Sequence, residues 1–234
     1  MKRTIPLEDR VIVALDVPTT NDARRIVDNL GDLGAFYKIG LQLFPAGGID
    51  LARELIAADK KVFLDFKFYD IGATVRNAVA SITALGADFL TIHGDGDTVL
   101  GAVGGRGDTS LKLLAVTVLT SMNEASLRKL GYTGTVPELV RMRAELALGA
   151  GADGLIASAQ EARMLRDEFG EDFILVTPGV RSPGSSAHDQ KRIATPAEAF
   201  KAGADHIVVG REITRADRMD EAAQRIFEGI SGVI

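Results

Sequence analysis

The segment Lys61-Val-Phe-Leu-Asp65-Phe-Lys67-Phe-Tyr-Asp70 brings two carboxylates and an ammonium group together at spacings of two and three. Read as a strand, it turns alternate side chains to opposite faces. Val62, Leu64, Phe66 and Phe68 then share an apolar face, and Phe63, Asp65 and Lys67 share the other. Opposite charges on an inward face are costly unless they meet each other in a polar pocket. Lys38 lies inside the apolar run Phe36-Tyr-Lys-Ile, and Asp16 ends the run Val13-Ala-Leu-Asp. A carboxylate beside an ammonium keeps it charged and oriented. An ammonium so held stabilises developing negative charge and can donate a proton. The bland alternative is a buried ion pair that only closes one end of the fold. Four charges converging on one rim favour chemistry.

A second group of residues suits an anion. Gly179 and Arg181 follow the apolar run Ile174–Thr177, and Gly210 and Arg211 follow His206–Val209. Glycine lets backbone N–H groups approach a phosphate, and arginine grips it with two parallel donors.

Both groups need a frame. Eight short β-branched runs alternate with amphipathic segments: Val11–Leu15, Phe36–Leu41, Val62–Phe66, Phe89–His93, Leu113–Leu119, Gly154–Ala157, Ile174–Thr177 and His206–Val209. Helices are expected at Ala73–Leu85, Pro137–Leu148, Glu161–Phe169 and Pro196–Ala202. Strand, helix, strand throughout implies parallel pairing with right-handed crossovers. Eight units in this length predict an α/β fold, a single (β/α)8 barrel domain over residues 1–234, with its chemistry at the C-terminal strand ends. Gly86-Ala-Asp88, Gly151-Ala-Asp153 and Gly203-Ala-Asp205 repeat before three of the strands, with glycine suited to a left-handed helix end. Thr135-Val-Pro-Glu138 and Thr195-Pro-Ala-Glu198 read as capping boxes. The long polar stretch from Pro178 to Arg192 is a candidate lid. Gly101-Ala-Val-Gly-Gly105 lacks the strand–turn–helix setting of a nucleotide fingerprint and reads as a flexible helix segment.

The composition narrows the class. Of 234 residues 46% are apolar, which supplies a large core, and the net charge of −5 argues against nucleic acid as a partner. With no cysteine there is no disulfide, thiolate metal site or cysteine nucleophile. No run of about eighteen apolar residues suggests a membrane span. The first ten residues lack the apolar stretch of a secretory signal, so the expected compartment is the cytoplasm. His93, Asp95 and Asp97 read as a polar turn, and no metal site is expected.

Asp65-Phe-Lys67-Phe-Tyr-Asp70-Ile71 resembles the D-x-K-x-x-D-I signature of the orotidylate decarboxylase family. The likeness continues in order through Leu15-Asp16-Val17, Lys38-Ile-Gly-Leu-Gln-Leu-Phe44, Thr117-Val-Leu-Thr120-Ser121-Met122, Thr177-Pro-Gly-Val-Arg181, Asp189-Gln190-Lys-Arg192 and Val209-Gly210-Arg211. Many members carry Leu, His and Pro where this chain has Phe66, Tyr69 and Gly72. His93-Gly-Asp-Gly-Asp97 also departs from the small-residue run usual there.

The resemblance implies removal of the C6 carboxylate of orotidine 5′-monophosphate without metal or organic cofactor. It makes Lys67 the acid, with Asp65, Asp70 and Lys38 completing a charged array. It places Asp16 and Lys38 at the ribose hydroxyls and has Thr120 and Ser121 address the pyrimidine or link to Gln190. Arg181, Gln190, Gly210 and Arg211 fall to the phosphate. Asp70, Ile71 and Thr74 would enter from a second subunit, which implies a homodimer. A metal-dependent 3-keto-sugar-phosphate decarboxylase or hexulose-phosphate synthase shares the barrel and the D-x-K-x-x-D motif and stands as the rival enzyme. Ile71, the Thr120-Ser121 pair and the Gly179-to-Gln190 loop argue for orotidylate. A phosphoribosyl-ligand sensor without catalysis is the rival of another class.

Overall fold

The computed structural model describes residues 4–182 and 194–233. Eight parallel strands close on themselves in chain order: β1 (Val11–Ala14), β2 (Phe36–Gly40), β3 (Lys61–Phe68), β4 (Phe89–His93), β5 (Lys112–Val116), β6 (Gly154–Ile156), β7 (Ile174–Thr177) and β8 (His206–Val209). Between them and after them run α1 (Thr20–Leu30), α2 (Gly48–Ala57), α3 (Gly72–Thr83), α4 (Gly96–Arg106), α5 (Glu124–Lys129), α6 (Val136–Gly149), α7 (Ala159–Phe169), α8 (Pro196–Lys201), α9 (Arg211–Thr214) and α10 (Met219–Ser231). This is the expected (β/α)8 barrel. Thr135 and Thr195 form the two capping boxes, each accepting from the backbone of the glutamate three residues on. Gly86, Gly151 and Gly203 all have positive φ, as helix ends of that hand require.

Alternation sorts the strand side chains into two cores. Outward residues such as Val62, Leu64 and Phe66 pack under the helices. Inward residues Ile12, Phe36, Phe63, Phe89, Leu114 and Val176 form a separate plug inside the barrel. Phe36 and Phe63 both meet Phe89, with centroids 5.0 and 5.9 Å away, and buried His206 lies edge-on to Phe89 at 5.2 Å. One strand step or two above these rings, the same inward columns carry Lys38, Asp65 and Lys67 instead. The barrel therefore changes from apolar to charged along its axis.

Two expectations are corrected. The fifth strand ends at Val116, not Leu119, because Thr117 donates both its N–H and its hydroxyl to the Ile156 carbonyl at the end of β6. The glycines of 101–105 do not loosen α4. A Cβ at Gly101 would collide with the Gly72 carbonyl oxygen, and one at Gly105 with that of Arg76. Those glycines let α4 lie directly against the backbone of α3, the helix that follows the charged strand.

Candidate active site

A cleft of about 530 Å³ opens at the C-terminal ends of the strands. Asp16, Lys38, Asp65 and Lys67 line one part of it, and Arg181, Gly210 and Arg211 another. Thr120 and Ser121 stand on the segment after β5 and also face it. Sequence reasoning thus brought together residues from six separate elements.

The charged array is continuous. Lys38 Nζ donates to Asp16 Oδ1 at 2.9 Å and lies 3.3 Å from Asp65 Oδ2. Lys67 Nζ donates to Asp65 Oδ1 at 2.6 Å. The parallel register that sets Gly40 beside Asp65 carries Lys38 to its partner. A side chain at Gly40 would intrude here, its Cβ 2.7 Å from Asp16 Oδ1 and 3.0 Å from Lys38 Nζ. The lysine at 38 is buried, which alone would lower its pKa, but the charges of Asp65 and Asp16 outweigh burial and raise it. Burial likewise pushes Asp65 up, and the two lysines with the Thr91 hydrogen bond overcome it and hold Asp65 below the ordinary carboxylate value. Both groups are therefore charged at neutral pH. Taking each ion out of water costs roughly several kcal/mol, which only such mutual contact offsets.

Lys67 sits on unusual backbone. Its φ is 50°, a left-handed conformation that costs a residue with a side chain on the order of 1–2 kcal/mol. The pairing of β3 with β4 shifts at the same place, from Leu64 opposite Leu90 to Phe68 opposite Ile92. Strain at the centre of a charged cleft is typical of functional backbone.

On the anion side, Arg181 is buried and donates Nη1 to its neighbour's carbonyl, that of Val180, at 2.6 Å. Its own N–H donates to the Ala194 carbonyl at 2.9 Å. Glu212 accepts the Ser182 N–H at 3.0 Å, tying the chain after β7 to α9, where Arg211 begins. Gln190 and Arg192, with most of the candidate lid, lie outside the described residues.

Asp70, Ile71 and Thr74 are exposed and do not line the cleft of their own chain. Asp70 Oδ1 accepts the Ile71 N–H at 2.7 Å. His93, half-buried, meets Tyr69 with centroids 4.8 Å apart. Among the described residues no group of three or more His, Asp or Glu side chains is placed to hold a metal ion. Gln42, Thr214 and Arg215 also line the cleft and were missed. Gln42 lies within the quoted run from Lys38 to Phe44, and Thr214 and Arg215 follow Arg211 by one helical turn. Their spacing alone carried no signal of that role.

The comparisons with known proteins agree with this geometry. The sequence pattern of the "Orotidine 5′-phosphate decarboxylase / HUMPS family" matches residues 9–226. The chain is 52% identical over 223 residues to an orotidine 5′-phosphate decarboxylase of Rhodopseudomonas palustris (strain HaA2), covering 95% of each chain. It is 46% identical over 230 residues to one of Caulobacter vibrioides (strain NA1000 / CB15N), covering 97% of this chain and 99% of that one. A crystal structure of orotidine 5′-phosphate decarboxylase from Lactobacillus acidophilus superposes with a TM-score of 0.83 at 36% identity, covering 95% of this chain and 99% of that one.

Proposed function

The chain belongs to the orotidine 5′-phosphate decarboxylase / HUMPS family and is a carboxy-lyase converting orotidine 5′-phosphate to uridine 5′-phosphate in pyrimidine biosynthesis, and we propose that Lys67 is its essential acid. The observation that carries this role is the Lys38–Asp65–Lys67 chain of contacts lining the cleft. When the C6–carboxylate bond breaks, its electron pair remains on C6 in the ring plane and CO2 departs. No ring carbonyl can delocalise that pair. The Lys67 ammonium stabilises it electrostatically and then transfers a proton from Nζ to C6, leaving a neutral amine that recovers its proton from solvent. Asp65, accepting from Nζ at 2.6 Å, keeps the ammonium aimed. Lys38 and Asp16 take the ribose hydroxyls, Thr120 and Ser121 the pyrimidine, and Arg181, Gly210 and Arg211 the phosphate. The role of Gln190 at the phosphate rests on family resemblance.

The working unit is a homodimer in which Asp70, Ile71 and Thr74 complete the partner's site. Their exposure supports this, as does the apolar surface around them. Tyr69 is 69% exposed, Ile71 72% and Leu100 59%, apolar surface that a second subunit would cover. The whole chain acts as one barrel domain, in the cytoplasm, with neither nucleic acid nor membrane as partner. Among the described residues no helix is long and apolar enough to cross a membrane.

The reaction needs no cofactor on this reading. Purified protein is expected to consume orotidylate, followed by its absorbance, at the same rate with and without excess EDTA. Turnover lost to chelator and restored by magnesium would instead support metal-dependent chemistry. For the shared site, inactive Asp70→Ala protein mixed with inactive Lys67→Ala protein should regain activity. One site of each hybrid carries both lesions and the other neither. Hybrids confirmed by mass spectrometry that stay inactive would return Asp70 to its own subunit's cleft.

A further inference from the structure

Thr91 is fully buried on β4, at an inward position between Phe89 and His93. It does not line the cleft. Between Leu64↔Leu90 and Phe68↔Ile92, β3 advances four residues while β4 advances two. Asp65, Phe66 and Lys67 therefore lie opposite Thr91 alone, and the chain absorbs the surplus by turning Lys67 to φ 50°. Two hydrogen bonds meet at the Thr91 hydroxyl. It accepts the Lys67 backbone N–H at 3.0 Å and donates its single proton to Asp65 Oδ1 at 2.9 Å. The same Oδ1 accepts from Lys67 Nζ at 2.6 Å.

We propose that Thr91 is a positioning residue for the decarboxylation, its hydroxyl holding the left-handed turn at Lys67 and fixing the Asp65 carboxylate against which the Lys67 ammonium is aimed. The inference rests on Lys67 being the acid. One oxygen serves both ends of the bulge. It gives the Lys67 N–H a partner where the β3–β4 register shifts. It also orients the carboxylate oxygen that grips the ammonium. A hydrocarbon side chain of the same shape supplies neither bond, leaving a buried amide unpaired and the strained turn without its lock. Thr91 also contributes to keeping Asp65 below the ordinary carboxylate value.

Thr91→Val keeps the shape and loses the hydroxyl; Thr91→Ser keeps the hydroxyl. The Val variant is expected to lose about 10- to 100-fold in kcat, the scale of a hydrogen bond to a charged group, with KM changed by about threefold or less. The Ser variant should recover to within about threefold of the parent. In 13C NMR titration the Asp65 carboxyl, assigned by its loss in Asp65→Asn, should move upward in Thr91→Val and stay in place in Thr91→Ser. Should the Val variant fail to fold, Thr91→Ala carries the same loss of the hydroxyl in a smaller side chain. Parental kcat without the hydroxyl would overturn the proposal. So would equal losses in the Ser and hydroxyl-less variants, or lost turnover with the Asp65 titration unmoved. Lys67→Ala measured alongside separates the two readings. If it retains turnover, Lys67 is not the acid. If it is inactive while the hydroxyl-less variant is unimpaired, only the role of Thr91 falls.

Discussion

At the N-terminal end of the strands, Asp88, Asp153 and Asp205 each turn one carboxylate oxygen to a backbone N–H of the preceding strand. Asp88 Oδ2 accepts from Val62 at 2.9 Å, Asp153 Oδ2 from Leu113 at 3.0 Å and Asp205 Oδ2 from Leu175 at 2.9 Å. These are the aspartates of the Gly-Ala-Asp repeat, so the repeat clamps successive strands together. Arg166 reinforces one clamp, donating to Asp205 and to the carbonyls of Gly203 and Phe173. At the C-terminal end Asp65 instead accepts from two lysine side chains and a threonine hydroxyl. A carboxylate that also holds a backbone N–H of the neighbouring strand is locked into the fold. One held by other side chains can be reorganised by a ligand that enters among them. The two ends thus divide stability from chemistry, as barrels do in general.

The largest effect that would test this division lies at the rim. Lys67→Ala should cost at least about a thousandfold in kcat, because it removes both the charge stabilisation and the proton donor. The thermal midpoint, followed by circular dichroism, should shift by only a few degrees. If the variant kept a tenth of parental turnover, the rim would not be dividing the labour as described.

At the other end the signs reverse. Asp205→Asn preserves an oxygen for the Leu175 N–H but takes from Arg166, whose side chain is only 4% exposed, its buried carboxylate, leaving it the exposed Glu171 at 3.7 Å. Breaking a buried pair costs about 3–5 kcal/mol, an upper bound here because Glu171 and the two carbonyls remain. For a chain of this size that lowers the thermal midpoint by roughly 6–20 °C. The kcat of the folded fraction should stay within about twofold. A slowed reaction with an unchanged midpoint would break the comparison.

The smallest effect sharpens it. Burial raises the pKa of Asp88 above the ordinary aspartate value, more than its hydrogen bonds and the nearby Lys61 lower it. A carboxyl with a raised folded pKa favours the fold below its unfolded pKa. It loses that contribution as the pH rises through the folded value. Asp88→Asn, neutral at every pH, should therefore gain stability relative to the parent across that window and hold the gain above it. Urea midpoints at a series of pH values should show a gain of no more than about 1 kcal/mol, since the site is partly open to solvent. A parent that gains on the variant as pH rises would mean that the Asp88 charge strengthens its clamp.

Much of this was legible locally. The eight strands, the two capping boxes and the inward placement of Phe63, Asp65 and Lys67 all follow from periods and turn residues within a few positions of one another. Lys38 beside Asp65 needed one further step, the adjacency of consecutive parallel strands. The repeat aspartates were visible, but not their target, because the N–H that each accepts lies 26 to 40 residues earlier. The glycines of α4 looked like looseness for the same reason. Nothing near them in the chain announces the backbone of α3 that they admit.

The sequence by itself determined which residues are charged, which face of each strand they occupy, and the order in which strands and helices follow, since those depend on neighbours two to four positions apart. The tertiary structure alone decided that β3 outruns β4 by two residues, that Lys67 takes left-handed backbone there, and that the Thr91 hydroxyl meets both ends of the bulge. Register between strands is a property of two distant segments at once, set by how whole side-chain layers pack, and no local period encodes it.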